Sequence, residues 1–211
     1  MRRMLVSAAW VTAAIVFATA FFQPVGATAA AGNGKGAAGK GIVYLFRGGA
    51  DIFSTGMDDL AAKLRARGVD ARSLGFASWP DVAREAKERR DKTRRPIILL
   101  GHSFGANAAV LVAQQLAKVK TPAALIILFD PTAVLQVPPN VTRLVNFYSS
   151  TVIGMNLQVQ PGPQFTGKLE NVAQADVGHL DIDDDVRLHD RAIRDILRVL
   201  GLSGRVIAGG Q

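Results

Sequence analysis

Ser103 sits in Gly101-His102-Ser103-Phe104-Gly105, with the aliphatic run Ile97 to Leu100 before it and the small-residue stretch Phe104 to Ala117 after it. A serine hydroxyl is a weak nucleophile until a base accepts its proton and a third group orients that base. A buried strand that breaks at G-x-S-x-G into a helix is a setting that exposes such a hydroxyl on a tight turn. The plain alternative is a helix N-cap serine, so the case depends on a base and an acid elsewhere in the chain.

The chain has three histidines. His102 is fixed within the turn and is expected to point away from its neighbour. His189 lies three residues after Val186 and four before Ile193, on the apolar stripe of a helix, where it reads as a packed side chain. His179 follows Asp176-Val177-Gly178 in a loop before the final helix, a position that suits a base. Asp130 directly follows the apolar run Ala124 to Phe129 and is the candidate acid, against the alternative that Asp130-Pro131-Thr132 only opens a turn. The chain order is then Ser, Asp, His. Charge developing on a carbonyl oxygen would be met by the main-chain N–H of Phe104 and by one from Gly49 or Gly48, which follow the first apolar run.

These residues need a scaffold that brings separate loops together. Gly41 to Phe46 is a continuous apolar run of the kind that fills a sheet buried on both faces. Thr55 opens a helical pattern through Met57, Leu60, Ala61 and Leu64, and Val69 to Leu74 follows as a more polar, edge-like strand. Ser78 can cap a helix that starts at Trp79-Pro80 and stops before Pro96. Ile97 to Leu100, Ala124 to Phe129 and Arg143 to Tyr148 read as strands, and Lys168 to Ala173 as a weaker sixth. The last helix, Val186 to Leu200, is expected to put Val186, Ile193, Leu197 and Leu200 on one face. Strands alternating with helices predict an α/β fold with a mostly parallel sheet of about six strands and helices on both faces. In such a sheet, side chains converge at the carboxyl ends of the strands.

With 211 residues, 49% of them hydrophobic, the chain can bury one core. Residues 1–29 read as a secretory signal: Arg2-Arg3, an apolar middle, then a cleavage point after Ala27 or Ala29, with a retained membrane anchor as the alternative. Residues 30–40 form a Gly/Ala-rich tether, 41–205 the folded domain and 206–211 a tail. This order predicts an exported, periplasmic or secreted protein. Cysteine is absent, which excludes disulfides, thiol nucleophiles and thiolate metal sites. Without Arg2 and Arg3 there are 23 basic against 17 acidic residues, a formal charge of +6. Much of the excess lies in Arg84 to Arg95, where interleaved acids favour a solvated helix face over a nucleic-acid site. Such a face offers at most a weak association with an anionic envelope surface. Asp181-Ile182-Asp183-Asp184-Asp185 imitates a calcium loop, but Val186 stands where glycine is needed and Ala192 where the bidentate glutamate belongs. The acids are expected to cap the final helix instead. No metal or organic cofactor is implied.

The motif GHSFGA, the aspartate after the next strand and the late Gly-His loop resemble the α/β-hydrolase superfamily, and within it the thioesterase-like branch. Arg47-Gly48-Gly49 stands where that superfamily commonly starts His-Gly. The resemblance implies a compact, lidless serine hydrolase that cleaves carboxylic esters or thioesters of a small molecule, lipid or polymer. In it Ser103 would attack, His179 shuttle the proton and Asp130 orient His179. A binding or scaffold protein that keeps the fold without catalysis is the alternative from another class. Ile153, Met155, Leu157 and Phe165, in the long segment Ser149 to Gly167, either wall an acyl pocket or pack into the core.

Overall fold

Alternation of side chains along four apolar strands divides the interior into two layers. The computed structural model describes residues 41–49, 55–152 and 154–203. The expected leader, the tether and the tail fall outside them. In chain order the elements are β1 (Ile42–Arg47), α1 (Thr55–Arg65), β2 (Asp70–Gly75), α2 (Trp79–Thr93), β3 (Ile97–His102), α3 (Phe104–Lys118), β4 (Leu125–Phe129), β5 (Gln136–Val137), β6 (Arg143–Ser149), β7 (Gln160–Pro161), β8 (Lys168–Gln174) and α4 (Val186–Val199). Six strands form one sheet in the order β2-β1-β3-β4-β6-β8, and every pair is parallel. This agrees with the expected fold class.

Ile42, Tyr44 and Phe46 of β1, Ile97 and Leu99 of β3, and Ile126 and Leu128 of β4 face α2 and α3. The alternate residues Val43, Leu45, Ile98, Leu100, Ile127 and Phe129 face α1 and α4. A period of two therefore gives each strand two buried faces, as a parallel sheet covered by helices requires. The more polar β2 and β8 are the edges. On β8, Glu170 pairs with both Arg143 and Arg191, which leaves this edge charged.

Some expected details differ. Val186 is 62% exposed, because it is the first residue after the N-cap Asp185 and points outward. Ile193, Leu197 and Leu200 are buried as expected, and Leu188, Ala192 and Ile196 complete the face. Ser78 stands at the N-cap of α2 but makes no side-chain cap bond, since a 3-10 turn over Phe76–Ser78 precedes the helix. Along α2, ion pairs such as Arg84 with Asp81 and Lys87 with Asp91 lie on exposed side chains, which makes the basic segment a solvated face. No helix among the described residues is long and apolar enough to cross a membrane.

Candidate active site

The sheet order reverses between β1 and β3, and the crevice at the carboxyl ends of these strands is where an open α/β sheet can hold a ligand. Ser103 follows β3 directly. The turn there depends on two glycines: a β-carbon on Gly101 would lie 2.1 Å from the carbonyl oxygen of Gly105, and one on Gly105 would lie 2.1 Å from that of Phe46. Only bare backbone lets α3 start so close to β3 and to the end of β1. Ser103 itself has φ 58° and ψ −124°, a conformation that costs a non-glycine residue about 1–3 kcal/mol. It occupies the N-cap position of α3, yet its side chain makes no cap bond.

The hydroxyl is committed elsewhere. Ser103 Oγ lies 3.1 Å from His179 Nε2, and His179 Nδ1 lies 2.8 Å from Asp130 Oδ2. A carboxylate accepts, so Nδ1 carries the proton, and the Nε2 lone pair is left to accept from the serine. Asp130 is fully buried and also accepts from the main-chain N–H of Ser149 at 3.0 Å and of Met155 at 3.1 Å. Two main-chain donors thus aim the carboxylate at the imidazole. The arrangement can remove a proton from Ser103 Oγ and stabilise the imidazolium that results.

Phe104 is the first residue of α3, so its N–H has no partner within the helix. Its ring touches the turn after β1: a β-carbon on Gly49 would lie 3.1 Å from Phe104 Cδ2. Gly48 is buried and Gly49 half-buried at that same end of β1. The Phe104 ring is 51% exposed and stacks on Phe76 with centroids 5.7 Å apart. Leu180, next to His179, and Met155, whose N–H binds Asp130, are also exposed. Large exposed apolar side chains therefore lie beside each member of the Ser103–His179–Asp130 chain. Phe165 packs against the core, whereas Ile153 lies outside the described residues.

His102, expected to point away from Ser103, is turned towards the loop that carries His179. Its Nε2 lies 2.8 Å from the main-chain oxygen of His179, and the two rings are 5.0 Å apart. On its other side, Nδ1 lies 3.3 Å from Asp183 Oδ1. Of the acids expected to cap α4, only Asp185 does so, through the N–H groups of Arg187 and Leu188, while Asp183 is fully buried beneath His102. The carboxyl of Asp183 is pushed up to about 7 and the His102 imidazole down to about 4, in both cases chiefly by burial. His189 is a packed residue as expected: its Nε2 donates to the main-chain oxygen of Asp183, and its Nδ1 lies 2.9 Å from Lys63 Nζ. Among the described residues, no group of three or more His, Asp or Glu is arranged to hold a metal.

No protein-family model matches the sequence, and no curated protein sequence matches it. Solved structures do. A thioesterase from the prodiginine pathway of Streptomyces coelicolor is 11% identical, over 77% of this chain and 86% of that one, with a TM-score of 0.51. Human thioesterase 2 is 13% identical over 80% of this chain and 99% of its own, with a TM-score of 0.52. A hormone-sensitive lipase from a metagenome library is 13% identical over 79% of each chain, with a TM-score of 0.53. The fold is that of the α/β hydrolases, thioesterases among them.

Proposed function

We propose that this protein is a serine hydrolase that cleaves carboxylic esters or thioesters through an acyl-serine intermediate. The single observation that carries the reading is the continuous hydrogen-bonded chain from Ser103 Oγ through His179 to buried Asp130, on a serine held at positive φ. Ser103 Oγ attacks the acyl carbon as His179 Nε2 takes its proton, and the carbonyl oxygen becomes an oxyanion. The N–H groups of Phe104 and of Gly49 or Gly48 are the donors suited to that charge. As the tetrahedral intermediate collapses, the bond to the alcohol or thiol breaks and His179 returns the proton to the leaving group. Water then attacks the acyl-serine by the same route, with His179 as base and then as acid, and releases the carboxylic acid.

The exposed rings of Phe76 and Phe104, with Leu180 and Met155, favour an apolar acyl or alkyl group. The arrangement of residues 1–29 supports export. Esters of lipids, polymers or small molecules suit an exported enzyme better than acyl-CoA thioesters do. The deciding experiment is fluorophosphonate labelling of the purified protein beside Ser103→Ala and His179→Ala. Labelling that both substitutions abolish supports the reading; a folded wild type that never labels leaves a binding protein on a hydrolase fold.

A further inference from the structure

A second histidine–carboxyl pair lies beneath the one just described, and nothing in the proposed chemistry uses it. His102 is 2% exposed and Asp183 is fully buried, with Nδ1 and Oδ1 3.3 Å apart. The other nitrogen of His102 faces the main-chain oxygen of His179 at 2.8 Å. A carbonyl oxygen can only accept, so Nε2 carries a proton. Nδ1 then faces the Asp183 carboxyl with a lone pair or with a second proton. A lone pair against an ionised carboxylate repels it, and burial of both groups leaves the contact in a low dielectric. One proton must therefore lie between the two groups, either on the imidazole or on the carboxyl.

We propose that Asp183 and His102 are positioning residues for His179: the proton shared by Asp183 Oδ1 and His102 Nδ1 fixes the His102 ring, whose Nε2–H holds the main-chain oxygen of His179. The inference rests on the reading of Ser103 and His179 as nucleophile and base. It gives a role to a fully buried carboxyl that faces the His102 ring at 3.3 Å. It also gives the base a fixed backbone. Asp130 orients the His179 ring from one side, and His102 fixes the loop that carries the ring from the other.

Burial favours the neutral arrangement, with the proton on Asp183, since it raises the carboxyl and lowers the imidazole. The surroundings act both ways, and burial outweighs them. Asp184 opposes a charge on Asp183, and the His179 ring opposes a charge on His102. The bond to the His179 main-chain oxygen and Asp130 favour a charged His102, while the His179 ring and the N–H groups of Gly56 and of Asp183 itself favour an ionised Asp183. From α4, His189 binds the main-chain oxygen of Asp183, and its far nitrogen faces Lys63 of α1.

Amide substitutions separate positioning from packing. In His102→Gln the amide reaches the place of Nε2 and can still donate to the His179 oxygen, whereas in His102→Asn it reaches only the place of Nδ1. Asp183→Asn keeps a donor towards Nδ1, and Asp183→Leu removes it. The measurement is the second-order rate of fluorophosphonate labelling, with thermal melts alongside. His102→Gln and Asp183→Asn should label within about threefold of wild type, and His102→Asn and Asp183→Leu at least thirtyfold more slowly with their melting transitions intact. Equal rates for the two His102 amides, or a wild-type rate for Asp183→Leu, would overturn the proposal. Should Asp183→Leu not fold, the two His102 amides decide. A wild type that takes no probe would sink the hydrolase reading instead. The pair is then judged by imidazole NMR, which must show His102 protonated at Nε2 with a slowly exchanging proton; the opposite tautomer rejects it.

Discussion

His102 Nε2 donates to the main-chain oxygen of His179 across 2.8 Å, so the residue that precedes the serine in sequence restrains the imidazole that faces the serine in space. Because the two interactions share β3 and its turn, a shift of that turn moves hydroxyl and imidazole together. Registration of Ser103 against His179 is thus a property of one strand end.

Removal of any member of the Ser103–His179–Asp130 chain should show how tightly it is coupled. Ser103→Ala and His179→Ala are expected to abolish labelling and ester hydrolysis. Asp130→Asn should lower kcat by roughly 10⁴-fold, because its amide can present a donor to His179 Nδ1 and favour the wrong tautomer. A p-nitrophenyl ester assay with unchanged melting temperatures checks all three. A loss below tenfold in Asp130→Asn would dismiss the orienting role.

Gly105→Ala should fail for a backbone reason. The added β-carbon would lie 2.1 Å from the Phe46 carbonyl oxygen, and neither atom is the end of a flexible side chain. Destabilisation of about 1–3 kcal/mol is expected from overpacking, together with slower labelling as α3 moves off β1. Denaturant melts and probe rates measured on the same sample would reveal whether the two losses occur together.

Phe76→Ala and Phe104→Ala should alter selectivity more than chemistry. Burying a phenyl ring against an acyl chain is worth about 1.5–3 kcal/mol at most, so kcat/KM for an octanoyl ester should fall about tenfold while that for an acetyl ester stays nearly constant. A parallel fall for both esters would remove these rings from the acyl-binding surface.

The Asp183–His102 pair makes a prediction about stability and pH. In the native state the pair holds one proton, on Asp183, between about pH 4 and pH 6.5. The unfolded chain also holds one there, on the histidine, because its carboxyl has its ordinary value of 3.8 and its imidazole 6.5. The proton counts match, so the pair adds no slope to the wild-type curve. Asp183→Asn leaves only the depressed imidazole, which binds fewer protons folded than unfolded. Its stability should then rise with pH from about 4 to 6.5 and be lost as pH falls, by about 1.4 kcal/mol per unit. Melting curves of the two proteins that stay parallel across that range would refute the shared proton.

The sequence made the scaffold legible where a strand is buried on both faces. Ile42 to Phe46, Ile97 to Leu100 and Leu125 to Phe129 are unbroken apolar runs, and no soluble exposed segment tolerates them. The residues at their carboxyl ends could be listed before any distance was known, which is why Ser103 and Asp130 were accessible to sequence reasoning. His179 emerged by comparison with two other histidines. Asp183 carried no signal, since it sits among four acids in five residues and reads as one more helix-capping charge. Its burial depends on how α1 and the loop before α4 meet, a long-range contact that periodicity does not encode. For the same reason the two-residue strands β5 and β7 were invisible: a pair of residues has no period.

All three histidines bear on the loop from Gly178 to Asp185: His179 belongs to it, His102 binds its first turn and His189 its third aspartate from the end. The chain thus carries a built-in spectroscopic reporter. Three imidazole signals, with no others to obscure them, would follow this single loop and its two buried contacts through ligand binding, acylation or unfolding, and of the three only the His179 ring is open to a histidine-directed reagent in the native fold.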